Sequence, residues 1–300
     1  LRRVLVTGAS GLIGSNVLQP LLSAGFEVHA VSRDASGAPA LEGVAWHSVD
    51  LLDERSRNEL LRRVKPTHLL HFAWFAEPGA YWEAPQNIQW MAASVGLLEQ
   101  FAAVGGKRAV FAGSCAEYRW GSTQPIAEDA ALGPDSLYGV CKGATRVAVE
   151  SIGRLRGLEV AWGRIFFLYG PGEDQRRLVA SVAHALALGK KAQTSAGTQI
   201  RDFMHVRDLA GAFVALLDSD VTGAINMASG EGVTVKHVVE LLGAAAERPD
   251  LLEIGAVPPR VDDPQLIVAD STRLRNEVGY VPSISLEEGL TETLDWWKSR

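Results

Sequence analysis

The sequence predicts an α/β fold: a doubly wound parallel sheet over residues 1–170 and a smaller α/β domain made mainly by residues 171–300. Three observations carry this. Strand-length apolar runs alternate with helix-length stretches up to about Leu168, which indicates β-α-β units joined by right-handed crossovers. The first run turns into a helix through a glycine-rich segment. After Gly170-Pro171-Gly172-Glu173-Asp174 the alternation gives way to scattered short segments. With 300 residues, 47% of them hydrophobic, the chain can bury a large core.

Taken in order, the first strand is read at 3–7 and the first helix at 12–24. Between them runs Thr7-Gly8-Ala9-Ser10-Gly11-Leu12-Ile13-Gly14. Gly8 makes the tight turn, Gly11 lets the backbone approach a pyrophosphate, and Gly14 lets helix and strand pack closely. The free N–H groups at the helix start, around Leu12 and Ile13, then face the anion. The spacing is G-x-x-G-x-x-G rather than the usual G-x-G-x-x-G.

A second strand at 26–31 ends in Ser32-Arg33-Asp34, and this end selects the dinucleotide. The Arg33 fork and the Ser32 hydroxyl suit a 2′-phosphate, which favours NADP(H). NAD(H) is the alternative, with Asp34 on the ribose and Arg33 in solvent. The third strand, at 44–47, leads to Asp50 and Leu51, set to meet the adenine edge. Asp50 serves equally well as a cap for the helix at 54–64. Strands at 67–72, 107–112 and 158–166 and helices at 86–104 and 137–156 complete the first domain.

The proton chemistry sits on the last of these helices. Tyr138 and Lys142 are four apart in YGVCK, so they share a helix face. An adjacent ammonium favours the phenolate; a lowering of about three units corresponds to roughly 4 kcal/mol and makes tyrosine a usable acid/base near neutrality. Ser114, at the end of the fifth strand in FAGSCAEY, is placed to hydrogen-bond the substrate oxygen.

Composition adds bounds. The net charge of −6 gives no electrostatic reason to bind nucleic acid. No 18-residue apolar stretch indicates a membrane span. The first residues run directly into a strand, so no signal peptide is expected. Cys115 and Cys141 are expected to be reduced, which fits a cytoplasmic location. No Cys/His cluster has metal spacing, and His68 and His205 read as structural.

These pieces together resemble the extended short-chain dehydrogenase/reductases, in the branch acting on nucleotide-activated sugars. The likeness spans essentially the whole chain. It is carried by TGASGLIG, VDLLD, LLHFAW, FAGSCAEY, YGVCK, GRIFFLYGPGED, RDFMHVRDLA and GYVPSISLEEGLTETLDWW. It implies a Rossmann-type dinucleotide-binding domain, a C-terminal substrate domain, and Ser114, Tyr138 and Lys142 as catalytic residues. It implies that the arginine of RDFMHV, Arg201, meets the sugar-nucleotide diphosphate, that Arg260 in PPRVDDP makes a second contact, and that Arg177 or Arg176 makes a third. The family's H-x-A-A segment appears as His71-Phe72-Ala73-Trp74, so Phe72, Ala73 and Trp74 would line the cofactor, with Trp74 also walling the sugar pocket.

Departures narrow the chemistry. Dehydratases of this family carry an Asp-Glu pair after the serine or threonine; here Cys115 and Ala116 stand there. Dehydration is therefore not expected. Nor is double epimerisation, because the required cysteine position and downstream histidine are missing. Phe167 replaces an asparagine that in relatives bonds the diphosphate.

Two reactions use the residues that remain. The favoured one is reduction of a 4-keto-6-deoxy nucleotide sugar at C4 by NADPH. The alternative is 4-epimerisation of a nucleotide sugar with tightly bound NAD. A non-catalytic dinucleotide-binding protein is a third reading, but it has no need for Ser114, Tyr138 and Lys142 together. In the second domain, helices are read near 176–188, 207–217, 234–246 and 286–298. Helix 207–217 is expected to return to the first domain, while segments near 223–228 and 251–254 join the cap. The resemblance also implies a homodimer through helices 86–104 and 137–156.

Overall fold

The computed structural model describes residues 2–38 and 41–300. Positions 39 and 40, part of the small-residue loop expected over 32–43, lie outside the described residues, as does position 1. The chain opens with β1 (Arg3–Thr7), α1 (Leu12–Ser23), β2 (Glu27–Ser32), β3 (Val44–Ser48), α2 (Glu54–Val64) and β4 (His68–His71). It continues through α3 (Gln86–Ala103), β5 (Arg108–Ser114), α4 (Leu137–Arg156) and β6 (Glu159–Ile165). Then come β7 (Phe167–Tyr169), α5 (Leu178–Ala187), β8 (Ala192–Thr194), β9 (Ile200–His205), α6 (Val206–Asp218) and β10 (Gly223–Met227). The chain closes with β11 (Gly232–Thr234), α7 (Val235–Ala245), β12 (Leu252–Ile254), β13 (Leu266–Ile267), α8 (Thr272–Asn276) and α9 (Leu286–Lys298).

Seven strands form one parallel sheet in the order β10-β6-β5-β4-β1-β2-β3. This is a Rossmann-type doubly wound sheet. The order reverses at β1, which has β2 on one side and β4 on the other, and such a reversal opens a crevice at the carboxyl ends of the strands. Both sheet faces are buried, as parallel sheets require. Val4 and Val6 of β1 pack with α1 and α6, while Leu5 between them packs with α2 and α3.

Local chemistry fixes the helices that carry the site. Ser136 caps α4 by accepting the Gly139 N–H, and Gly157, at φ 68°, ends it in the left-handed region. Asp53 caps α2 through the Ser56 N–H. Asp50 instead accepts the Leu52 N–H at 3.0 Å, so it orders the turn ahead of α2 and is not the helix cap. Buried Arg108 of β5 donates to Leu216 O, Leu217 O and Val221 O, which ties the end of α6 to the large sheet.

One expectation is corrected. The segment read at 223–228 as part of the cap is β10, the edge strand of the large sheet, in parallel register with β6. Gly223-Ala-Ile-Asn-Met227 is short and apolar, and its pairing with a strand some sixty residues earlier leaves no local mark. The cap is built from β7, β9, β11 and β13 in a second sheet, the β8–β12 pair, and α5, α7 and α9, which share a separate apolar core. Buried Asp202 of β9 accepts from Ser229, Gly230 and Ala269 and so seats the loop after β10 against this sheet.

Candidate active site

The glycine turn leaves no room for side chains. Gly8 has φ 68°, and a Cβ there would lie 2.7 Å from Ala73 N. A Cβ on Gly14 would lie 2.2 Å from Gly8 O. Gly11 is the N-cap of α1 and offers no side-chain cap, so the first-turn N–H groups at Leu12 and Ile13 stay available for an anion. Phe72 and Ala73 follow β4 directly beneath this turn: Phe72 N donates to Thr7 O at 3.2 Å and Ala73 N to Thr7 Oγ1 at 3.4 Å. This backbone cradle fits a dinucleotide pyrophosphate.

At the end of β2, Ser32 bonds Ser10 Oγ at 3.0 Å and donates to Asp34 O at 2.8 Å. Arg33 is exposed. Asp34 accepts the Ser36 N–H, which holds its carboxyl below the usual range. Leu51 is buried beside the second core, and Asp50 is exposed. The residues expected at the adenine end therefore share one rim of the sheet.

Tyr138 and Lys142 project from one face of α4 toward the end of β5. Lys142 is buried, and its Nζ donates to Ala112 O at 2.8 Å. The ammonium lies 3.9 Å from the Trp74 ring centroid and 5.8 Å from that of Tyr138. Trp74 is locked in place, since its Nε1 donates to Asn87 Oδ1 at 2.8 Å and the Asn87 amide donates to Tyr81 O and Ala84 O. Burial pushes Lys142 down to about 7, opposed by the charge of Glu117.

Tyr138 itself corrects the sequence reading. Burial pushes its phenol up, and the hydrogen-bonding Ser114 hydroxyl only partly opposes this. The Lys142 ammonium is turned to the Ala112 carbonyl and the Trp74 ring, and burial outweighs its pull on the phenol. Helix spacing fixes the shared face but not the direction in which a four-carbon stem swings. The resting phenol is thus a protonated hydrogen-bond donor.

Ser114 caps a one-turn helix over Cys115–Glu117, with its Oγ accepting the Ala116 N–H at 3.2 Å. Cys115 is buried and its thiol is pushed up to about 12, chiefly by burial, so it is a packing group and not a base. Cys115 and Cys141 are both free thiols. Among the described residues, no group of three or more His, Cys, Asp or Glu could hold a metal ion, and no helix is long and apolar enough to cross a membrane.

Aromatic rings wall the tyrosine. Tyr81 packs edge-on at 4.8 Å and Trp82 at 5.9 Å, and Trp82 in turn meets Trp120 at 6.3 Å. Trp90 packs against the core between α3 and the sheet. Of the arginines, Arg177 lies 5.4 Å over the Tyr81 ring. Arg176 is taken up by Asp174 and Glu77. Arg201 is buried on β9, pairs with Asp263 at 2.6 Å and lies 5.5 Å over the Phe167 ring. Arg260 is exposed in the loop between β12 and β13, close enough for its charge to act on Tyr81. The structure therefore brings Ser114, Tyr138, Trp74, Arg177 and Arg201 to one end of the sheet and leaves Arg176 outside. A surface hollow of about 800 Å³ lined by Glu128, Arg146, Glu150 and Arg273 lies beside β10 and holds none of these groups.

Sequence reasoning missed three groups here: Tyr81, Glu117 and Glu173. Glu173, in the loop before α5, is buried with Oε2 unpartnered, and its carboxyl is pushed up to about 8 by burial against the pull of Arg177. Its ordinary value is 4.5, so between 4.5 and about 8 the unfolded chain releases a proton that the folded one keeps. Stability must therefore fall as pH rises through that window. Glu173→Gln is expected to flatten this fall and to raise Tm at pH 8 by about 3 °C or more. Calorimetry at pH 5 and pH 8 checks it, and identical pH slopes for the two proteins would contradict it.

A family model described as "NAD dependent epimerase/dehydratase family" matches residues 4–228. The UDP-glucose 4-epimerase of Azospirillum brasilense is 31% identical over 331 residues, covering 99% of this chain and 92% of that protein. The UDP-glucose 4-epimerase of Rhizobium meliloti (strain 1021) is 29% identical over 323 residues, covering 99% and 97%. Among solved structures, the Thermus thermophilus UDP-glucose 4-epimerase in complex with NAD matches with a TM-score of 0.87 at 28% identity over 99% of each chain.

Proposed function

The chain belongs to the NAD dependent epimerase/dehydratase family, and from that membership we propose that it epimerises a nucleotide-diphosphate hexose at C4 using a tightly held NAD. The observation that carries this is the pairing of Ser114 and Tyr138 at the end of β5 with no carboxylate at positions 115 and 116. Such a site moves a proton on a sugar oxygen but has no acid–base pair for elimination. The relatives named UDP-glucose 4-epimerase support this reading over the ketoreductase that the Ser32-Arg33 pair favoured.

The proposal gives each residue a role that its position supports. The uncapped start of α1 and the Gly8–Gly14 turn hold the pyrophosphate. Bound there, the dinucleotide supplies a hydride acceptor at C4 that can also return the hydride. Ser114 Oγ hydrogen-bonds the C4 oxygen. Tyr138 exchanges the proton on that oxygen, and Lys142 carries the positive charge beside it. Arg201 and Arg260 bind the diphosphate, with Phe167 packed under Arg201 and Arg177 beside Tyr81 as a third contact. Trp74 holds Lys142 and walls the nicotinamide side. For the dinucleotide, Asp34 takes the ribose while Arg33 stays in solvent.

The ketoreductase remains a second reading on one observation: among the described residues Arg33 makes no hydrogen bond or ion pair, which suits a 2′-phosphate. Denaturing the purified protein and identifying the released nucleotide separates the two. Stoichiometric NAD supports the epimerase. No bound nucleotide, with NADPH consumed by 4-keto-6-deoxy nucleotide sugars, supports the reductase.

The same proposal includes a homodimer. Ile88 of α3 and Val140, Val147 and Leu155 of α4 are 51%, 48%, 55% and 75% exposed, an apolar face along two helices that pack together. Val147→Glu is expected to shift the protein from dimer to monomer in light scattering at micromolar concentration. A wild-type chain that is already monomeric there would sink this part of the proposal.

A further inference from the structure

We propose that Glu117 is a positioning residue: through a buried ion pair with Arg164 it fixes the turn that presents the Ser114 hydroxyl. This rests on the reading of Ser114 and Tyr138 as the proton-handling pair. The Glu117 and Arg164 side chains are 0% and 1% exposed, with Arg164 Nε 2.9 Å from Glu117 Oε2. The other carboxylate oxygen, Oε1, accepts the backbone N–H of Ser114 at 2.9 Å and Trp162 Nε1–H at 2.8 Å. Glu117 thus takes three donors, one of them the backbone of the residue it serves. The carboxylate also closes a capping box, since Ser114 Oγ accepts in return from the turn.

The seat admits little displacement. A Cβ on Gly113 would lie 2.0 Å from Trp162 Nε1 and 2.7 Å from Glu117 Oε1. Arg164 is held in its turn: its NH1 donates to Tyr118 Oη at 2.7 Å and Glu128 O at 3.0 Å, and Tyr118 Oη donates to Asn226 Oδ1 at 2.8 Å. The turn after β5 is thereby pinned to both β6 and β10. A buried ion pair is a poor stability device, because an apolar pair of similar volume serves as well. Its use here is explained by specificity: three aimed donors allow one conformation of the backbone at Ser114.

The test is a cycle between Glu117→Gln and Ser114→Ala on the full chain with its bound dinucleotide, reading kcat and KM for UDP-glucose. Glutamine keeps the volume but turns an amide NH2 toward donors. Glu117→Gln is expected to lower kcat roughly tenfold with KM and bound dinucleotide unchanged, because a misplaced group costs rate rather than binding. In the Ser114→Ala background the same change is expected to cost less than about twofold, since the group it positions is gone. Full kcat in Glu117→Gln, or an equal loss in both backgrounds, overturns the inference. Should Glu117→Gln not fold, Arg164→Lys keeps the charge without the fork and is expected to lower kcat about threefold with the same dependence on Ser114; unchanged kcat there overturns it too. Full turnover in Ser114→Ala would instead remove the reading of the site on which the inference stands.

Discussion

Replacing Tyr138 by phenylalanine is expected to lower kcat about a thousandfold while leaving bound dinucleotide and Tm close to wild type. The substitution removes one oxygen and keeps the ring, so the contacts with Tyr81 at 4.8 Å and Trp82 at 5.9 Å survive. No backbone group of the glycine turn is touched. What is lost is the phenol beside Ser114, and with it the group proposed to give and take the C4 hydroxyl proton. In the resting chain, burial keeps that phenol protonated, so it is ready to donate to an oxygen that gains charge. Lys142, held near 7 by burial, is the neighbouring group whose charge changes most readily. Steady-state turnover of UDP-glucose checks the effect; a Tyr138→Phe protein within tenfold of wild type would take Tyr138 out of the mechanism.

Arg201→Ala is the second large effect, and it falls on binding. KM for the nucleotide sugar should rise by about 30-fold to 100-fold with a smaller change in kcat. A charge-assisted hydrogen bond to phosphate contributes about 1.5–3 kcal/mol, and Arg201 is buried where water does not screen it. The guanidinium already has one edge on Asp263 Oδ1 and Ile200 O, and this fixes its plane over Phe167. Phe167 cannot donate to phosphate, so in the proposed complex Arg201 would carry the contact that an asparagine there would share. Calorimetric titration with UDP isolates the term from chemistry, and unchanged UDP affinity would show that Arg201 serves only its pair with Asp263.

Much of this was legible in the residues because the signals were local. The glycine turn is written in eleven consecutive positions from Val4 to Gly14, and packing of each of its glycines follows from the absent Cβ. Alternation placed the strands of the large sheet up to β6 within one or two residues. What stayed hidden was non-local. β10 joins the sheet through pairing that leaves no mark in Gly223–Met227. Glu117 and Arg164 are 47 residues apart, and their pairing exists only once β5 and β6 lie side by side. The one visible signal was Arg164 as the sole charge inside the apolar run VAWGRIFF. Tyr81 sits in a segment without periodicity, so nothing announced that its ring would meet Tyr138. Spacing gives Tyr138 and Lys142 a shared face, while the carbonyl of Ala112 decides where the lysine points and burial sets the direction of the Tyr138 shift.

The central claim is that hydride leaves C4 and comes back to C4 of the same sugar while Tyr138 handles the proton. UDP-glucose carrying deuterium at C4, incubated with the purified protein and no added cofactor, tests it most directly by NMR. In ordinary water the account predicts a mixture of the two C4 epimers with deuterium fully retained at C4. Deuterium washed out to solvent, or no inversion until NADPH is supplied, would contradict it.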